Sequence, residues 1–229
     1  NITGASNVAV GAFALDANTT ADNNTAVGYN SLGANTTGAN NTAVGYTTLA
    51  LNTTGIGNSA FGVNALQTNT TGVGNSAFGS YHAGSSNAAL NSNTTGDSNS
   101  AFGGGSLSAN TTASNNSGFG YRALATTTTG ASNTAVGASA LYANTTAGTN
   151  TAVGYNAGAA ITTGGSNTFV GANVGDSTTD STSNTAIGVS ALGGADAGDG
   201  NTAVGANAGA ACTGEYNIFM GVNAGDTTT

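Results

Sequence analysis

The chain has 229 residues, a net charge of −8 and 4% charged side chains, against roughly 25% in an average soluble protein. Its single basic residue, Arg122, argues against the Lys- and Arg-rich surfaces that bind nucleic-acid backbones or lie on anionic membranes. The lone Cys212 gives no disulfide framework, and no apolar run reaches the ~18 residues of a membrane-spanning helix. Low complexity invites a reading of disorder. Disordered chains, however, are rich in Pro and poor in aliphatic residues, whereas here Pro is absent and Val, Leu and Phe recur in fixed columns. The first residues, "NITGAS", sit in mid-repeat and suggest a processed or excised piece.

Asparagine opens a repeated unit at Asn7, Asn24, Asn41, Asn58 and Asn75, and again at Asn99, Asn116, Asn133, Asn150, Asn167, Asn184, Asn201 and Asn217. The spacing is 17 residues throughout, except for one unit of 24 and one of 16. The consensus is N-[ST]-A-[VF]-G-x-x-[SA]-L-x-x-N-T-T-G-x-x. A unit this short cannot hold a helix–turn–helix repeat, and its Gly and Asn content opposes helix. The expected fold class is therefore all-β: a parallel β-solenoid of about 13 coils of 17 residues, one continuous array over residues 1–229. A seven-residue insertion falls within residues 80–89.

Within each coil, "TAVGY" predicts a strand, with Val27 pointing to one side and Ala26 and Gly28 to the other. The Leu32 column predicts a second strand or extended segment. "NTTG" predicts the return turn, with Gly38 free to adopt positive φ. Two core ladders are expected. One comprises Val10, Val27, Val44, Phe61, Phe78, Phe102, Phe119, Val136 and Val153, and the other Leu32, Leu49 and Leu66 with their equivalents. After Ala157 the Leu column often turns to Gly (Gly158, Gly175, Gly209), while Ile161, Cys212, Phe169 and Phe219 add bulk nearby. This predicts a compensating repack within the same array. The small Ala/Gly face of the strand has two readings. It is a flat surface pressed against another chain, or it merely lets the coil wind tightly.

At "NTAVG", "NSAFG" and "NTAIG" the unit resembles the head repeats of trimeric autotransporter adhesins, whose pattern runs N-S-V-A-I-G. It is more similar still to the "NTAVGYxALxxNTTG" repeats of phage-tail-fibre-like and bacterial surface proteins. The resemblance covers nearly the whole chain. It implies a left-handed parallel β-roll, three chains side by side, and a place on an extracellular fibre or adhesin at a cell or virion surface. The chain itself adds that its last residues, "GDTTT", end close to the point in the unit where "NITGAS" begins. Since open solenoid ends are exposed sheet edges, head-to-tail stacking of copies into a filament is a second expectation for self-association.

Candidate chemistry is sparse. His82, the only histidine, lies in the insertion and lacks a second metal-ligating partner, so it reads first as part of a surface turn. Tyr81 and His82 are nevertheless the candidate receptor-contact residues. Asp196 and Asp199 in "GGADAGDGN", like Asp176 and Asp180, read as solvated turn residues more readily than as calcium ligands. N-x-[ST] sequons occur at Asn1, Asn18, Asn23, Asn35, Asn40, Asn52, Asn69, Asn93, Asn110, Asn115 and Asn144. These are N-glycosylation acceptors in a glycosylating host, although Asn and Thr are also turn formers that ladder well, and that reading weighs more. The column Thr19, Thr36, Thr53, Thr70, Thr94, Thr111, Thr128, Thr145 and Thr162 raises ice binding as a further alternative.

No catalytic residue, metal-ligand set or cofactor motif emerges, so an enzyme is not expected. The leading expectation is an extracellular structural fibre or adhesin-shaft module whose partners are copies of itself. A tail-fibre or adhesin head that binds a cell-surface glycan or receptor is the alternative.

Overall fold

The computed structural model describes residues 3–80 and 87–225, and they form a parallel β-solenoid. The chain divides into two compact units, Asn1–Asn116 and Ser117–Thr229. The first unit carries β1 (Val8–Val10), β2 (Thr25–Val27), β3 (Thr42–Val44), β4 (Ser59–Phe61), β5 (Ser76–Phe78) and β6 (Ser100–Phe102). Each strand pairs in parallel with the next, in register, so that Ala26 lies beside Ala43 and Val27 beside Val44. The second unit repeats the arrangement with β7 (Ser117–Phe119), β8 (Thr134–Val136), β9 (Thr151–Val153), β10 (Thr168–Val170), β11 (Thr185–Ile187), β12 (Thr202–Val204) and β13 (Ile218–Met220). No helix occurs among the described residues.

Each coil has one strand of three residues, and the rest of it is turn. This corrects the expectation that the Leu column is extended. Leu32 has φ 50° and Asn30 has φ 52°, both left-handed. Two left-handed residues so close together bend the chain sharply and bring it back toward the sheet. For leucine the conformation costs roughly 1–2 kcal/mol. The same bend drives the Leu32 side chain to complete burial, worth about 1.5–3 kcal/mol, which offsets the strain. The backbone of the turn is not left unpaired, because it bonds to its copies one coil away. Leu32 N donates to Thr48 O (3.1 Å), Ala34 N to Ala50 O (3.0 Å) and Thr36 N to Thr53 O (3.0 Å).

The strand is inverted relative to expectation. Ala26, Ala43, Ala60, Ala77 and Ala101 face the interior and are fully buried. The Val27 column faces outward: Val10, Phe102, Phe119, Val136 and Val153 are exposed, and Val27, Val44, Phe61 and Phe78 are half-buried. Alternation along a strand permits either choice. Coil width decides between them. The interior already holds a leucine from the opposite wall, at Leu32, Leu49 and Leu66 as expected, and only alanine fits against it. The Ala column is thus the floor of the core, and the Ala/Gly side is not available to another chain.

Glycine is required at one place in the coil. Gly28 has φ 131°, a region closed to L side chains. Gly38 does not adopt positive φ, contrary to expectation. A Cβ added there would crowd the Gly55 carbonyl oxygen, yet the position does not demand glycine, because Ala21, Ala113 and Ala147 hold it in other coils with the same Asn-to-carbonyl bond.

Late in the second unit the core is rebuilt in the way the sequence suggests. Phe169 replaces the inward alanine and is fully buried. The flanking Leu positions are Gly158 and Gly175, where an added Cβ would lie 2.8 Å from the Phe169 ring. Gly209 stands in the same relation to Phe219, at 2.6 Å. Volume lost on one wall is returned from the other, the kind of exchange that cores tolerate best.

Candidate functional site

Polar side chains fill much of the interior, and most of them are asparagines. In the first ladder Asn41 N donates to Asn24 Oδ1 (2.9 Å), Asn58 N to Asn41 Oδ1 (2.9 Å) and Asn75 N to Asn58 Oδ1 (2.9 Å). The amide nitrogen of each caps a turn carbonyl, as Asn58 Nδ2 does for Gly72 O (2.8 Å). A second ladder runs through the "NTT" positions. Asn35 Nδ2 donates to Asn18 Oδ1 (3.0 Å) and Gly38 O (2.9 Å), and Asn52 Nδ2 to Asn35 Oδ1 (2.9 Å). Buried polar groups are tolerated because they are paired in this way. Where Ile161 occupies the Asn position one coil beyond Asn144, Asn144 Oδ1 is left without a donor.

This arrangement corrects most of the sequon reading. Asn18, Asn35, Asn52, Asn69, Asn93, Asn110 and Asn144 are buried, and their amide nitrogens hold the coil together. A sugar on any of them is incompatible with the folded coil. Asn23, Asn40 and Asn115 are exposed, and Asn1 lies outside the described residues. Intact-mass analysis of folded protein secreted from a glycosylating host is expected to show N-glycans confined to Asn1, Asn23, Asn40 and Asn115. A glycan mapped to Asn35 or Asn52 would contradict the ladder.

The conspicuous Thr column is also engaged. Thr36 Oγ1 donates to Thr53 O (3.0 Å), Thr53 Oγ1 to Thr70 O (3.0 Å) and Thr145 Oγ1 to Thr162 O (3.2 Å). These hydroxyls brace one coil against the next and are half-buried. They do not form the free array that the sequence suggested.

The free outward face is the sheet. In the first unit it carries stacked rings, with Phe61 on Phe78 at 4.7 Å and Phe78 on Phe102 at 4.6 Å between centroids. Tyr29 stacks on Tyr46 at 5.2 Å, with Phe13 edge-on to Tyr29. In the second unit the same face differs in chemistry. One rank is Thr134, Thr151, Thr168, Thr185 and Thr202, all half-buried. The parallel rank two residues on is Val136, Val153, Val170, Ile187 and Val204. Sequence reasoning missed these ranks because it turned the strand the wrong way. The signal available was the Leu column, which already fills the core.

Arg122 lies over the Tyr142 ring, 4.6 Å from its centroid, and its Nη2 donates to the Tyr142 hydroxyl (2.6 Å). It borders an open groove of about 300 Å³ with Ser139, Asn156, Ala159 and Asp176. Desolvation raises the Asp176 carboxyl above its ordinary range, against a smaller lowering effect of a backbone hydrogen bond. A carboxyl whose folded pKa exceeds its unfolded value opposes folding when ionised. The contribution of Asp176 to stability is therefore lost as pH rises through that raised value. Asp176→Asn is expected to raise the melting temperature slightly at neutral pH. The gain should vanish below the ordinary carboxylate range, as read by thermal melts of both proteins across pH.

Four other aspartates, Asp22, Asp97, Asp196 and Asp199, accept backbone N–H groups of a neighbouring coil. Asp196 accepts from Thr179 N and Thr179 Oγ1 (both 2.9 Å), and Asp199 from Thr182 N (2.7 Å). Among the described residues no group of three His, Cys, Asp or Glu side chains could hold a metal ion. Cys212 is a buried free thiol in the second Asn column, 3.5 Å from Gly214 O. Tyr81 and His82 lie outside the described residues. Comparison with protein-family models, with curated proteins and with solved structures found no match.

Proposed function

We propose that this chain is a structural β-solenoid module of an extracellular fibre or adhesin shaft, at a cell or virion surface, which associates with copies of itself. The observation that supports this most is the use of interior and turn side chains to join coil to coil, through the two Asn ladders and the braced Thr column. Such a chain uses its chemistry for persistence and presents a surface that repeats with every coil. Repetition suits a multivalent or mechanical role, in which many weak identical contacts add up. Negative-stain microscopy with light scattering on the purified chain tests the reading. Elongated assemblies whose mass is a multiple of the chain are expected. A monodisperse monomer at all concentrations would overturn self-association.

A glycan-recognising head is a second reading, supported by the exposed stacked rings Tyr29 and Tyr46 and by the Arg122 groove. A glycan array separates the two readings, because a shaft module gives no selective binding.

A further inference from the structure

We infer that the outward sheet face of the second unit is an ice-binding surface. Its ligand is crystalline water, held by the Thr134–Thr202 rank and the Val136–Val204 rank together. Strands β8 to β12 pair in register, Thr134 to Thr151, Thr151 to Thr168, Thr168 to Thr185 and Thr185 to Thr202. The face is therefore a two-dimensional lattice. It repeats every ~4.8 Å along the stack and about 6.6 Å between ranks, two strand residues apart. Both spacings are close to repeat distances of hexagonal ice. The order is enforced from inside, since each coil is pinned to its neighbour by interior asparagines such as Asn150 and Asn167.

The chemistry of the ranks suits a neutral, repeating ligand. Methyl groups order their first-shell water, and hydroxyls anchor it by hydrogen bonds. Unlike Thr145 and Thr162, whose hydroxyls donate to backbone carbonyls, the five strand threonines have no partner for theirs among the described residues. Val136, Val153, Val170 and Ile187 are exposed beside them. No charged residue stands in either rank, so nothing holds a hydration shell unlike that of ice. A protein partner fits this face less well. Protein interfaces draw most of their energy from Trp, Tyr and Arg anchors, and β8 to β12 offer none outward. The first unit lacks the lattice, because Ser59, Ser76 and Ser100 replace threonine and the stacked Phe61, Phe78 and Phe102 stand in the second rank.

The experiment is nanolitre osmometry on the full chain, with ice-crystal shaping recorded. Wild type is expected to show thermal hysteresis and faceted crystals. Thr168→Tyr, which breaks the lattice at its centre, should lose most of the hysteresis with an unchanged circular-dichroism spectrum. Val153→Lys is the second such variant should the first fold poorly. Thr146→Tyr, at an exposed position off the sheet, should retain full activity. Absence of hysteresis in wild type overturns the inference, as does full activity in both folded face variants, or equal loss in Thr146→Tyr. The structural reading above is independent of this result, since it is tested by assembly and not by ice.

Discussion

Phe169→Ala is expected to destabilise the second unit by about 3–5 kcal/mol, the range for emptying a buried aromatic site. The expected size follows from what surrounds the ring. The residues on either side are Gly158 and Gly175, which cannot collapse into the space because they have no side chains to move. The same geometry predicts a sign reversal. In the wild-type background Gly158→Leu is destabilising, since its Cβ would lie 2.8 Å from the Phe169 ring. In the Phe169→Ala background Gly158→Leu and Gly175→Leu together rebuild the consensus coil and should restore most of the loss. Both glycines already have the left-handed φ, 58° and 56°, that Leu32 and Leu49 adopt at 50°. Chemical denaturation of the single, double and triple variants reads the cycle. Additive effects would show that the compensation is not real.

The second large effect concerns the interior asparagines. Asn58→Ala leaves the Asn75 N–H without its acceptor in a dry interior, at roughly 1–3 kcal/mol, and takes from the Gly72 carbonyl one of its two donors, the other being Asn69 Nδ2. Asn58→Asp distinguishes this from simple loss of volume. An ionised aspartate still accepts from Asn75 N but cannot donate to Gly72 O, and burial disfavours its charge. Its folded pKa is thus raised, so its cost is present above that value and relieved as pH falls and the protonated acid becomes a donor. Thermal melts of Asn58→Asp are expected to approach wild type on acidification, whereas Asn58→Ala keeps its deficit at every pH. Hydrogen exchange at the Asn75 amide reads the same bond locally.

The period, the parallel stacking and the buried Leu column were all readable from residue spacing alone. The Phe169 exchange was readable too, because a missing large residue and an extra one appear a few places apart. What escaped was decided by dimensions that spacing does not carry. Val27 and Ala26 are both apolar, and only the width of the coil determines which faces in. Leu32 at φ 50° contradicts its own propensity and is explained only once its burial is known. The sequons illustrate the same limit. Asn35 and Asn40 match the same motif, yet one is an interior cross-brace and the other a surface turn residue. The outward ranks left no direct mark in the residue pattern beyond T-x-V.

The Phe169 exchange also bears on how the chain finds its pairing. Bonds between coils mostly join residues 17 apart, so folding can spread by local steps without closing long loops. Near-identical coils carry a hazard, because a segment that docks one coil out of place meets nearly the same partners. Phe169 removes that ambiguity, since the space it needs lies between Gly158 and Gly175, and one coil away on either side Leu141 and Leu192 fill the corresponding positions. A chain shifted by one period would push the ring against leucine. The irregular coils thus act as addresses in an otherwise uniform text, and they make the correct alignment the only one that closes.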